Sequence, residues 1–285
     1  MEVVVHGGAG GTPEEPRRRQ AVLDDAAEAG AKADRPVDAV VEAVNVLESS
    51  PRFNAGIGSA VQSDGVPRTD AGLMANDGSA GAACSMPGVE HAVDVARIVA
   101  EETPHVLVAG ERAVELAAAF GVETEADLWC ERTRRRWADL DDHPPDDDPL
   151  AHLEWIDGEF GGSDTVGAVA RDGNALAAAT STGGRWLALA GRVGDVPQIG
   201  GGFYCSPAGG ASATGAGEDI AKATLARRVV RHLEDGLDAA AAADRALEAF
   251  DELTGSTAGL VLLDADGNAG RAFNSESMQT ATHRS

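Results

Sequence analysis

The apolar pattern of this chain is strong at both ends and fails in the middle. Between Glu123 and Gly162 lie Arg134-Arg135-Arg136 and the run Asp141-Asp142-His143-Pro144-Pro145-Asp146-Asp147-Asp148-Pro149. Prolines and like charges leave little apolar surface to bury, so residues 123–164 are expected to form a flexible, solvated linker. The core must come from what precedes and follows. Large side chains are scarce there: aromatics are 4% of 285 residues, while glycine alone supplies 35. Ala, Val, Leu and Gly must therefore fill the interior. Without a Gly-X-Y period, that much glycine points to tight turns and close backbone approaches.

Ahead of the linker, Glu2 to His6 reads as a buried strand entering the loop His6-Gly7-Gly8-Ala9-Gly10-Gly11. Thr12 is the candidate cap, and Pro13 the first-turn residue, of a helix carrying Val22, Ala26, Ala29 and Ala33 on one face. A second helix follows Pro36, with Val37, Val40, Val41, Val44 and Leu47 aligned. Strands are predicted at 59–62, 67–73 and 81–86, and helices at 91–102 and 111–120 flanking 105–109. Beyond the linker, 165–170 and 175–180 alternate around Asp172-Gly173, a hairpin signal. Helices at 217–235 and 237–253 precede a closing hairpin, 258–264 with 269–273, around Asp266-Gly267. Strands and helices in segregated runs predict an α+β fold, an αββα sandwich in one domain over 1–285.

The formal net charge of −24 argues against nucleic acid or an anionic membrane as partner, because both would repel the chain. No apolar run approaches the length of a membrane span. Lys32 and Lys222 are the only lysines, and an acidic, lysine-poor surface suits high salt, where repulsion is screened. Cys84, Cys130 and Cys205 are scattered and form no CxxC, which fits a reducing, cytoplasmic compartment rather than a disulfide framework or zinc site.

The most informative stretch is Gly162-Ser163-Asp164-Thr165-Val166-Gly167-Ala168-Val169-Ala170, where the linker ends abruptly at a threonine opening a strand. Downstream come Thr180-Ser181-Thr182-Gly183-Gly184, Gly191-Arg192-Val193-Gly194-Asp195 and Ser212-Ala213-Thr214-Gly215-Ala216-Gly217-Glu218. With His6-Gly7-Gly8-Ala9-Gly10 and Phe53-Asn54-Ala55-Gly56-Ile57-Gly58, this order of motifs resembles the plant-type L-asparaginase and isoaspartyl peptidase family of N-terminal-nucleophile hydrolases. The resemblance spans nearly the whole chain except the linker and the last few residues.

That resemblance implies an enzyme that cuts itself between Asp164 and Thr165 into 1–164 and 165–285, then hydrolyses the side-chain amide of asparagine or β-aspartyl peptides. The chemistry is coherent. A threonine hydroxyl is a poor nucleophile, and a terminal α-amine titrating near about 7.7–8.0 is a far better base at neutral pH than a lysine. By resemblance, Thr182 holds Thr165 in place, Asn54 lies nearby, and Thr214 with Gly215 supplies donors to the oxyanion. Arg192 would grip the substrate α-carboxylate and Asp195 its α-ammonium. Thr180 is either part of that polar network or an ordinary strand residue, and Gly217 serves close packing. Relatives wrap a structural sodium ion with backbone carbonyls, here those of Leu47, Glu48, Ser50, Phe53, Ala55 and Ile57; no cofactor is implied for catalysis. Relatives also pair two processed protomers, a dimer of α/β heterodimers.

Two departures bear on substrate. Asp164 stands where the asparaginase branch usually has glycine, a junction more like glycosylasparaginase or the threonine aspartase. Thr182-Gly183-Gly184 and the His6-Gly7-Gly8 opening speak against the first alternative, and Asp195 against the second. The bulk of Trp186, on the approach to Arg192, is expected to reshape the pocket mouth. A nucleotide-binding reading fails on Gly8-Ala9-Gly10-Gly11-Thr12-Pro13, which lacks the third glycine and any P-loop lysine. An α/β-hydrolase would need a G-x-S-x-G elbow, which is absent. A binding protein that never cleaves would leave the motifs from Thr165 to Gly215 without purpose.

Overall fold

The computed structural model describes residues 1–140, 144, 148–159 and 165–285. The first half runs β1 (Glu2–Gly10), α1 (Pro16–Ala31), α2 (Pro36–Glu48), β2 (Arg68–Ala75), β3 (Ala80–Pro87), α3 (Ala92–Glu102), β4 (Leu107–Ala109) and α4 (Glu111–Ala119). Two helices follow in the segment read as linker, α5 (Glu131–Ala138) and α6 (Pro149–Glu159). The second half runs β5 (Val166–Asp172), β6 (Ala175–Thr182), β7 (Phe203–Ser206), β8 (Gly209–Gly215), α7 (Gly217–Ala223), α8 (Leu225–Glu234), α9 (Ala239–Thr254), β9 (Ala258–Asp264), β10 (Ala269–Phe273) and β11 (Ser277–Arg284).

Both halves of the chain share one sheet. Seven strands lie in the order β11-β1-β5-β6-β2-β3-β4, and four more form a second sheet, β10-β9-β8-β7. The pleat sorts their side chains. Val3 and Val5 of β1, Ala168 and Ala170 of β5, and Ala177 and Ala179 of β6 pack with α1, α2 and α3. The intervening Val4, Val169, Leu176 and Ala178 pack instead with Cys205, Val261 and Leu263 of the second sheet. That sheet turns Ala211, Ala213, Leu260 and Leu262 outward to α8 and α9. The molecule is thus α+β, with the sheets in contact and helices on both outer faces.

Small residues let the sheets come close. A Cβ at Gly72 of β2 would run into the Phe203 ring of β7. One at Gly167 of β5 would meet Ser212 Oγ and stand 2.7 Å from His6 Nε2.

Several expectations need correction. The first helix begins at Pro16, not near Thr12. Thr12 instead donates to Glu276 Oε1 at 2.8 Å. Residues 59–62 form no strand, only a single bridge between Val61 and Pro67. The predicted helix 217–235 breaks at Thr224, whose φ of 51° is left-handed. There, the Ala226 and Arg227 N–H groups donate to the Gly201 and Gly200 carbonyls, so tertiary bonds replace the helical ladder. Strands β7, β8 and β11 escaped the sequence reading. β11 lies at the sheet edge against β1, where burial leaves too few apolar positions to show a period.

The linker is the largest correction. Its described residues carry three of the four tryptophans, and Trp129, Trp137, Leu140, Trp155 and Ile156 pack against Trp186, Leu187, Ala60 and Val61. Trp137 meets Trp129 and Trp155 edge to face at 6.1 and 6.2 Å. Charge counting hid this apolar area because only five scattered residues of the segment carry it.

If close sheet approach fixes the fold, Gly72→Ala should lower stability by about 1–3 kcal/mol. Adding Phe203→Leu should recover part of that loss, because the ring is what the new methyl meets. Urea denaturation of both variants checks this, and strictly additive losses would contradict it.

Candidate active site

Pleat parity gathers the threonines singled out in the sequence. On β5 the inter-sheet face carries Val169 and Gly167, so Thr165 continues that row. On β6 the same face carries Leu176 and Ala178, followed by Thr180 and Thr182. The ladder pairs Val166 with Ser181, which sets Thr165 opposite Thr182. Ser212 and Thr214 of β8 enter the seam from the other sheet, being the residues between and beyond the outward Ala211 and Ala213.

Thr165 is 3% exposed, and its N–H donates to Thr214 Oγ1 at 3.3 Å. Thr182 Oγ1 accepts from the Gly184 N–H at 3.0 Å and faces Asn54 Nδ2 at 3.5 Å. Asn54 staples two loops: Nδ2 donates to the Gly184 carbonyl at 2.6 Å, Oδ1 accepts from Ala60 at 2.7 Å, and its carbonyl accepts from Gly183 at 2.8 Å. Gly215 follows Thr214 with φ of 134°, a conformation that glycine alone adopts readily. Asp164 lies outside the described residues.

Arg192 and Asp195 converge above the start of α7. A Cβ at Gly217 would stand 2.6 Å from Asp195 Oδ1 and 2.9 Å from an Arg192 terminal nitrogen. Arg192 pairs not with Asp195 but with Glu218, at 2.7 Å. Asp195 is buried, and its Oδ2 has no hydrogen-bond partner. Burial pushes its carboxyl up to about 7, against the pull of Arg192. Asp70 on β2, opposite Thr182, is likewise pushed up to about 7 by burial, although the Ser85 N–H donates to it at 2.7 Å.

Three features were missed from sequence. Glu218 was quoted in a motif but given no role, and Asp70 was one polar residue in a short strand. The third is a buried polar bridge between the sheets: His6 Nε2 lies 2.7 Å from Ser212 Oγ, which lies 2.8 Å from Thr180 Oγ1, itself donating to the Gly202 carbonyl. Thr180 therefore serves this bridge, a row away from Thr182. Burial drops the His6 pKa to about 3, so its ring is neutral. The only sequence signal was a histidine within a run of apolar strand residues.

In the loop of candidate sodium ligands, Glu48 O accepts from Ile57 at 2.8 Å, Leu47 O from Ser50 at 3.2 Å, and Ser50 O from Phe53 at 3.3 Å. Gly56 turns the chain at φ 53°, where a Cβ would run into the Glu48 carbonyl. The Phe53 carbonyl would likewise lie 2.8 Å from a Cβ on Gly58. Among the described residues no group of three His, Cys, Asp or Glu side chains could hold a metal ion. No helix among them is long and apolar enough to cross a membrane.

A cavity of about 1040 Å³ lies beside the site, lined by Asn54 and Gly215, by Arg185 and Trp186, and by one side of α5, whereas Thr165, Thr182 and Thr214 lie behind this lining.

A buried threonine just ahead of a strand, two glycine-supported loops around it and an Arg–carboxylate cluster beside it offer groups of the kinds that amide hydrolysis uses. The family model described as asparaginase matches residues 1–285. Similar proteins include the plant-type L-asparaginase of Pyrococcus furiosus, 40% identical across 99% of this chain and 95% of its own. The isoaspartyl peptidase of Salmonella typhimurium is 38% identical over 98% of this chain and 94% of its own, and the isoaspartyl peptidase/L-asparaginase of Danio rerio 38% over 98% and 91%. The chain belongs to the asparaginase family.

Asp70 titrates near 3.8 when unfolded and near 7 when folded, so the folded state binds the extra proton between those values. Stability contributed by the neutral carboxyl is full below the lower value and is lost as pH rises through the upper one. Asp70→Asn is therefore expected to lose less stability than the parent between about pH 5 and about pH 8 in urea denaturation. Equal losses would exclude that assignment.

Proposed function

We propose that this chain is an autoprocessing amidohydrolase that cleaves the side-chain amide of L-asparagine, of β-aspartyl peptides, or of both, releasing L-aspartate. The observation that carries the reading is the position of Thr165: buried, directly ahead of β5, opposite Thr182, with its nitrogen against Thr214. Family membership over the whole chain supports the same chemistry.

In self-cleavage, the Thr165 hydroxyl oxygen attacks the Asp164 carbonyl carbon. The peptide C–N bond breaks, an ester forms, and the hydroxyl proton ends on the freed amine. Water then hydrolyses the ester, leaving fragments 1–164 and 165–285. In turnover, the Thr165 amine takes the hydroxyl proton while the oxygen attacks the substrate amide. The Thr214 hydroxyl and the Gly215 N–H stabilise the oxyanion. The proton passes to the departing nitrogen, ammonia or an amine leaves, and water releases aspartate from Thr165. Nucleophile and base on one residue need no separate alignment and no cofactor.

The unpartnered Asp195 oxygen suits a substrate ammonium, and Arg192 exchanges Glu218 for the substrate α-carboxylate. Asn54 and Thr182 hold the nucleophile's surroundings by their bonds to the 183–184 loop. The wider fold reads as the αββα sandwich of N-terminal-nucleophile hydrolases. The carbonyls of Leu47, Glu48, Ser50, Phe53, Ala55 and Ile57 offer hard oxygen donors suited to a sodium ion. Pairing of processed protomers and a cytoplasmic location complete the reading, the latter supported by three free cysteines. Salt adaptation follows from the charge of −24, and a maximum of activity in dilute buffer would overturn it.

Thr165→Ala is expected to run as one uncleaved band on a denaturing gel and to hydrolyse no asparagine; a cleaved or active variant refutes the mechanism. Arg192→Ala should still process but show KM for asparagine raised by about 10- to 100-fold. Unchanged KM would remove the carboxylate clamp.

A further inference from the structure

The segment before the proposed cut builds part of the active-site cavity. Arg132, Arg135 and Arg136 of α5, with Asp139 at its C-terminal cap, all line it, at helical spacings of three and four that put them on one face. The opposite side of the helix is anchored: Thr133 is buried, and Trp137 stacks between Trp129 and Trp155. Arg136 lies over the Trp186 ring at 4.2 Å, and Arg132 donates to the Gly58 carbonyl at 3.2 Å. Trp186 follows the loop that Asn54 staples beside Thr182. The arginines are thus positioned relative to the nucleophile by packing, not by chance on a tether.

Charge marks the cavity out. Six arginines and four carboxylates line it, a positive excess in a chain whose net charge is −24. Arg135 pairs with Glu131 at 3.0 Å, both largely exposed, so that partner is readily exchanged for a ligand carboxylate. The clamp at Arg192 and Asp195 accounts for the aspartyl end of a substrate, and neither residue lines this cavity. Asn54, which faces Thr182, and Gly215, which follows Thr214, both line it. The space therefore adjoins the scissile amide on the leaving-group side. Ammonia from asparagine would leave it unused, whereas a β-aspartyl peptide fills it with a residue bearing its own α-carboxylate.

Resting on the proposed amidohydrolase reading, we propose that the arginine face of α5, with Arg185, is a leaving-group subsite that selects β-aspartyl peptides whose second residue is acidic. Such a leaving group brings two carboxylates to the guanidinium groups. The preference resides in binding, so it is expected in KM, and it weakens as salt screens the partly exposed charges.

The test uses the processed protein at the lowest salt concentration at which it retains its fold, checked by circular dichroism, with β-aspartyl-glutamate, β-aspartyl-leucine, β-aspartyl-lysine and asparagine as substrates. The expected result is kcat/KM about tenfold higher for the glutamate than the leucine peptide, and lower again for lysine. That spread should contract as salt is raised above that level. In the double variant Arg132→Gln/Arg135→Gln, the ratio of the glutamate peptide to asparagine should fall at least about fivefold. Equal rates for the three peptides, or a spread that survives the double variant, overturns the subsite. Hydrolysis of asparagine with no peptide cleaved overturns it while leaving the amidohydrolase reading standing. If asparagine is untouched as well, that reading fails and the subsite falls with it.

Discussion

The close approach of two sheets is the constraint on which the rest of this structure depends. Face-to-face sheets ordinarily stand about 10 Å apart, a gap filled by apolar side chains. Here the seam near the site is lined by Gly72, Gly167, Thr165, Thr180, Thr182, Ser212 and Thr214, with the single large ring of Phe203 seated against Gly72. Small hydroxyl residues on both faces bring Thr165, Thr182 and Thr214 together, with the Thr165 N–H on Thr214 Oγ1. A bulkier core would have separated them.

The same small residues leave polar atoms to satisfy inside the seam. The His6, Ser212 and Thr180 bridge does this for one row, with a neutral imidazole where a charged one would be costly. The next row ends in groups with capacity to spare: the Asp195 oxygen without a partner, and Asp70 and Asp195 both held near 7 by burial. Buried groups of this kind suit the zwitterionic substrate proposed above. Arg192, paired with Glu218, holds a counter-charge beside them.

Much of the site was legible because its residues sit in short motifs with chemical meaning. A threonine opening a strand after a charged segment, glycine pairs after Thr182, and an Arg and an Asp three residues apart are local patterns, and the structure brings them together. Asp70 and the His6 bridge were not legible, since each looks like one polar residue in an apolar strand until its neighbours from other strands are known. Glu218 was visible but unassigned, because its partner lies 26 positions back in the chain.

The sequence by itself determined the class of structure and the order of its elements: the period-two strands at 165–180, the helix after Pro36, and the hairpin at Asp266-Gly267 all lie where alternation and turn residues put them. These signals are local, carried by residues a few positions apart. Tertiary structure alone decided that β11 closes the first sheet beside β1, that Thr224 breaks a continuous helical pattern, and that the described residues of the middle segment dock against Trp186 through three tryptophans. Each of those outcomes turns on contacts between residues far apart in the chain, and no window of sequence contains both partners.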